Sequence, residues 1–303
     1  MFAATTEPPG SSILVIVHDA SSAEAVLGWA LHQAGRRHSR VNVLYMPAFP
    51  WTGEGCMLDA QIVEQGQKEL AASLDYLGAE SQASLDVGDP EESTTEAIRA
   101  KALKDPDGLV IVGPLDANSL VSLVFGSNPY DVAGPELPLV VVPRSAWSTP
   151  LPLSTPATLT VGFHGSDPAT DALAWAVSEA HRRNGVVRAV MAWYEGDYGG
   201  LGGPVAITAR PSSLVGRSAV KLAADSLSRC GVPTDRVTSI ARRGMPASIL
   251  IQEATGSDLL AISAGQSTVF GHRTLGAVTL GCVMRSPVPV VIVPGHAASC
   301  PVT

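Results

Sequence analysis

The sequence predicts an α/β fold of two tandem domains, each a mostly parallel, doubly wound sheet. Three observations carry that prediction. Short runs rich in Val and Ile, such as 13–17 and 109–112, recur along the chain, stretches with apolar residues at helical spacing lie between them, and the whole pattern occurs twice in 303 residues. Strands alternating with helices specify a parallel sheet covered on both faces, because each crossover helix packs back onto the sheet. At roughly 100–200 residues per domain, the length accommodates two.

The duplication can be read residue by residue. ILVIVHDASSAEAVLGWALHQAGRR (13–37) aligns without gaps on LTVGFHGSDPATDALAWAVSEAHRR (159–183). His18 then meets His164, Trp29 meets Trp175, and Arg36-Arg37 meets Arg182-Arg183, all at an offset of 146. LVIVGPLDANSLVSLVFGS…ELPLVVVP (109–143) corresponds to LLAISAGQSTVFGHRTLGA…PVPVVIVP (259–294), with Gly126 on Gly276 at an offset of 150. Two homologous domains follow, 1–147 and 159–303, joined by the Pro-rich linker STPLPLSTPAT at 148–158.

Taken in order, the first half begins with a buried strand at 13–17 and a helix at 23–36 whose terminal arginines suit its negative end. A strand at 41–46 follows, then helices at 57–79 and 91–103 and strands at 109–112 and 137–142. The second half repeats the series with strands at 159–163, 187–192, 259–262 and 288–293. Its helices are expected at 169–183, 212–230 and 246–254. In such sheets ligands sit at the carboxyl ends of the strands, where the strand order reverses.

Composition narrows the partners. The net charge of −8 argues against a nucleic-acid coat. The charge is uneven: residues 1–150 carry 8 basic and 19 acidic side chains, whereas residues 151–303 carry 12 and 9. Opposite fields of this kind help two halves dock, although drift among solvated residues gives the same imbalance. The four cysteines, Cys56, Cys230, Cys282 and Cys300, form no CxxC pair, which fits a reducing cytoplasm. No secretory signal and no membrane span is expected, so the chain is read as cytoplasmic, without nucleic-acid or membrane partners.

The landmarks resemble the universal stress protein family in its tandem two-domain form. That family's first strand ends in Asp-Gly-Ser, its first helix contains Trp-Ala, and a Gly-x2-Gly-x9-Gly-Ser/Thr loop precedes a Pro-containing last strand. The resemblance implies Rossmann-like domains of the adenine nucleotide alpha hydrolase type, with ATP or another adenine nucleotide as ligand. The first-strand acid would lie near the nucleotide, and the glycine loop would hold ribose and phosphates. Physically, glycines admit a close backbone approach, and a helix starting after Gly-Ser offers free N–H groups to an anion.

The candidate ligand-binding residues carried over from this resemblance are His18, Gly113, Asp116, Gly126 and Ser127 in the first half. In the second half they are His164, Gly165, Ser166 and Gly276. The match is incomplete. Asp116 stands where the second Gly belongs, and a carboxylate there repels a triphosphate by about 1 kcal/mol or more. Only Gly276 survives from the second half's loop, with His272 and Arg273 nearby as a source of positive charge. His18 and His164 both replace the first-strand Asp, and a one-residue slip would bring Asp19 to that place instead. A neutral His can bond a ribose or base, and a charged one can meet phosphate; the competing reading is that both rings simply end a strand at a cleft.

Other signals are bland. Gly199–Pro204 reads as a loop excursion, and Arg242-Arg243 as a solvated turn before a helix. No HExxH, GxSxG or GxxxxGK[ST] pattern is present, so nothing argues for an enzyme, and a slow nucleotide hydrolase would have to use Asp116 or Asp19. Two functional readings stand: a stress-response module that binds a small ligand or adenine nucleotide, and a scaffold without nucleotide that contacts itself or a protein partner. Under either, the last strands, 137–143 and 288–294, are expected to pair the domains or the two chains of a homodimer. A charge at Val140 or Val291 would then alter assembly.

Overall fold

The computed structural model describes residues 12–20, 23–47, 60–79, 82–88, 100, 108–113, 137–143, 156–193, 217, 221, 224–225, 228, 235–264, 266–269 and 272–294. The chain divides into two compact units, Met1–Pro114 and Leu115–Thr303.

In the first unit, β1 (Ile13–Val17) leads into α1 (Glu24–Arg37), β2 (Val41–Tyr45), α2 (Ala60–Tyr76), β3 (Ala83–Val87) and β4 (Leu109–Val112). The sheet order is β3-β2-β1-β4, and every pairing is parallel. All residues of β1 and β4 are buried, as continuous apolar runs require in a sheet covered on both faces. The α1 helix buries Val26, Leu27, Trp29 and Ala30, and left-handed His38 ends it by returning its N–H to Ala34. Gly66 of α2 lies against the Tyr45 ring, where an added Cβ would overlap the phenol oxygen.

The second unit contains β5 (Leu139–Val141), β6 (Thr158–Gly162), α3 (Asp167–Arg182) and β7 (Val186–Trp193). These are followed by β8 (Val237–Arg243), α4 (Pro246–Ala254) and β9 (Leu259–Ser263). A hairpin of β10 (Gln266–Val269) and β11 (His272–Leu275), then α5 (Ala277–Arg285) and β12 (Val290–Val293), complete it. The main sheet runs β5-β12-β9-β6-β7-β8. All its pairings are parallel except β5 with β12, which run antiparallel with Val140 opposite Val291.

The two repeats use the same registers. Ile13 lies opposite Val41 and Leu109, while Leu159 lies opposite Val187 and Leu259, so the offsets of 146 and 150 hold strand by strand. That agreement excludes the one-residue slip: His18 and His164 occupy the equivalent strand-end position, and exposed Asp19 follows it.

Several elements differ from expectation. β3 and β8 are strands that the sequence reading leaves out. Both lie at sheet ends, and β3 alternates between half-buried and exposed residues, so neither shows the buried apolar run used to find the others. Arg242-Arg243 end β8 and do not form a turn. The segment bearing His272 and Arg273 is the second strand of a hairpin, not an open loop. The helices expected at 91–103 and 212–230, the Gly199–Pro204 excursion and most of the linker fall outside the described residues.

Helix α5 carries fully buried Cys282, whose thiol burial pushes up to about 12. A thiol of that kind is almost wholly protonated near neutrality, and the thiolate is the nucleophile. Cys282 is therefore expected to resist iodoacetamide at pH 8 in the native protein and to react once urea unfolds it. Peptide mass spectrometry of the alkylated chain checks both outcomes.

Candidate functional site

In each unit the strand order reverses beside the first strand of the repeat, between β1 and β4 and between β6 and β9. The carboxyl ends of these strands form the expected crevice. In the first unit that position is occupied by His18. Its Nδ1 lies 2.8 Å from the Met46 carbonyl oxygen, and the Met46 amide donates to Val17 O at 2.8 Å. A carbonyl can only accept, so Nδ1 carries the hydrogen and the ring lies across the ends of β1 and β2. Burial lowers the His18 pKa, and the Met46 contact opposes this more weakly. The neutral ring keeps Nε2 as an acceptor for a hydroxyl or amine. Gly113 follows β4, and a Cβ there would stand 3.4 Å from Val26 of α1. Asp116, Gly126 and Ser127 lie outside the described residues.

The second unit brings together four of the sequence candidates. β6 ends at Gly162, and buried Phe163 continues its ladder by donating to Val190 O at 2.9 Å. His164 then turns outward, and Gly165 adopts φ +84°, a left-handed conformation that glycine takes without steric cost. Ser166 caps α3: its Oγ accepts from the Ala169 amide at 3.4 Å, and its carbonyl accepts from the Thr170 amide and hydroxyl. The Ser166 hydroxyl hydrogen remains free to point at His164 Nε2, 3.5 Å away. Desolvation lowers the His164 pKa, against a smaller contribution from its own backbone, so this ring too favours the neutral form.

A second helix opens at the same end of the sheet. Gly276 is the residue before α5, and no side chain caps that terminus. The buried Thr279 hydroxyl donates to Ser263 O at 3.2 Å and so fixes the first turn of α5 against the end of β9. The first turn of α5 contains no acid, whereas Asp167 opens α3. Of the two positive helix ends, that of α5 is therefore better suited to an anion. Sequence reasoning missed Thr279 and Met46. The first was signalled by a Thr three residues after Gly276; the second acts through its carbonyl and leaves no trace in residue type.

Arg242 does not reach toward these strand ends. Its Nε donates to Glu253 Oε1 at 2.7 Å, while Arg188 donates to Glu253 Oε2 at 2.5 Å and to the Glu253 carbonyl at 2.9 Å. Glu253 thus ties α4 to β7 and β8. Among the described residues no group of three or more His, Cys, Asp or Glu side chains is set to hold a metal, and no helix is long and apolar enough to cross a membrane.

Comparison with known proteins agrees with the geometry. Residues 157–294 match the universal stress protein family. A universal stress protein structure from Archaeoglobus fulgidus superposes with a TM-score of 0.61 at 16% identity, covering 96% of this chain and 98% of its own. A Pseudomonas aeruginosa structure assigned to the same family superposes with a TM-score of 0.56 at 12% identity, covering 94% and 93%. No curated protein sequence matches. Residues 157–294 thus match the universal stress protein family, and nearly the whole chain shares the α/β fold of solved structures from that family.

Proposed function

We propose that the chain is a regulatory module of the stress response that binds an adenine nucleotide at the strand ends of its second half. The observation that carries this reading is the uncapped, acid-free N-terminus of α5, held by Thr279 against the end of β9. Phosphate sits there against free N–H groups and the positive helix end. Neutral His164 and the Ser166 hydroxyl offer ribose or base a matched acceptor and donor. Binding biases a conformation or a contact, and the nucleotide is not consumed. The equivalent strand ends of the first half carry His18 and Gly113, with the His18 Nδ1–H already committed to Met46. The sparse cysteines suit action in the cytoplasm.

The test is mass spectrometry of small molecules released from gently purified protein, together with calorimetric titration by ATP. Stoichiometric adenine nucleotide is expected. Gly276→Val, which sets a branched side chain at the opening of α5, is expected to weaken binding roughly 10–100-fold, the worth of one or two charge-assisted hydrogen bonds. Absence of binding at millimolar ATP overturns the reading.

The alternative reading is a scaffold without nucleotide that contacts a protein partner or a second copy of the chain. It predicts no bound nucleotide and a hydrodynamic size that ATP leaves unchanged.

A further inference from the structure

The duplication exposes a difference deep in the first helix of each repeat. In the second repeat Glu179 is fully buried, and Arg183, with its side chain 1% exposed, donates to Glu179 Oε1 from Nε at 2.8 Å and from a terminal nitrogen at 2.5 Å. Arg182 adds a bond to Glu179 Oε2 at 3.3 Å. One carboxylate therefore serves two arginines, and one terminal nitrogen of Arg183 keeps no partner.

At the offset of 146, the same positions in the first repeat are Gln33, Arg36 and Arg37. The carboxylate has become an amide. Gln33 is fully buried, and neither its Nε2 nor its Oε1 has a hydrogen-bond partner. The Trp29 indole nitrogen and one terminal nitrogen of Arg36 are buried and unpartnered as well. Trp29, Gln33 and Arg36 are spaced i, i+4, i+7, so they form one row along α1. The row holds three donor groups and a single acceptor, the Gln33 oxygen. A guanidinium nitrogen taken from water without a counter-charge costs far more than one that is paired.

We infer that this row binds a small carboxylate, which lies beside the Gln33 amide and supplies the negative charge that the Glu179 side chain carries in the second repeat. Half-buried Arg36 marks the side by which the ligand reaches fully buried Gln33. The negative end of α1 opposes an anion here, as the end of α3 does for Glu179, and in both repeats two consecutive arginines offset it. The site is separate from the strand-end crevice, so its fate is independent of the nucleotide reading.

The experiment is thermal unfolding of the full chain in formate and acetate from about 1 to 100 mM, at constant ionic strength made up with a bulky sulfonate. A ligand that binds only the folded state raises the midpoint with concentration. The wild type is expected to show that rise. Gln33→Glu, which supplies the carboxylate covalently, is expected to start higher and to lose the response. A midpoint indifferent to the anion, or an equal response in both proteins, overturns the proposal and leaves bridging water as the partner of these donors. If Gln33→Glu fails to fold, bromide-soaked crystals of the wild type decide: an anomalous peak beside Trp29, Gln33 and Arg36 supports the site, and its absence overturns it.

Discussion

Glu179→Ala is expected to destabilise the second unit by about 3–5 kcal/mol, the usual cost of removing one partner from a buried ion pair. The loss exceeds the worth of the pair itself because Arg183, 1% exposed at its side chain, would keep its charge with no carboxylate to meet it. Arg182 would lose its bond too, but it is half-exposed and water replaces the carboxylate there at little cost. For a unit of this size the melting midpoint should fall by roughly 6–20 °C, read by calorimetry or circular dichroism. Arg182→Ala is the control and should cost no more than about 1 kcal/mol. An equal loss from both substitutions would show that burial of the pair is not what makes it matter.

Val291→Asp is the second large effect. Val291 is fully buried in β12, between Val140 of β5 and Ala261 of β9. An aspartate there brings a carboxylate into a sheet interior with no cation or donor assigned to it. The cost should reach about 4–5 kcal/mol or more, enough to unfold a unit of ordinary stability. Val140→Asp should behave alike, because Val140 is fully buried in the same pairing. The sequence reading expects such charges to alter assembly. With both positions paired inside one unit, the expected outcome is insoluble or unfolded protein, not a smaller assembly. Val278→Asp, on exposed α5 surface, should stay within about 0.5 kcal/mol in urea titration.

How much of this was legible in advance depended on burial. β1, β4, β9 and β12 are buried along their whole lengths, so their continuous apolar runs announce them. β3 and β8 lie at sheet ends with one side open, and Ala83–Val87 and Val237–Arg243 carry Ser, Asp, Thr and Arg that a buried strand would exclude. The repeat was legible because homologous positions keep their residue types, as His18 with His164 and Trp29 with Trp175. The candidate site was half legible. Glycine and serine at 165–166 and Gly276 stand out in the sequence, whereas Thr279 and the Met46 carbonyl act only through the approach of a helix or strand distant in the chain.

The sequence alone determined the α/β class, the duplication and its register, since these follow from local periodicity and from residues matched at a constant offset. The tertiary structure decided what each matched residue does. His18 and His164 are the same residue at equivalent strand ends, yet one is bound to a backbone carbonyl and the other faces a serine. Gln33 and Glu179 differ by one functional group, and only their complete burial turns that difference into a missing charge. Long-range contacts set such environments, because a side chain's hydrogen bonds and desolvation come from neighbours that sequence spacing does not name.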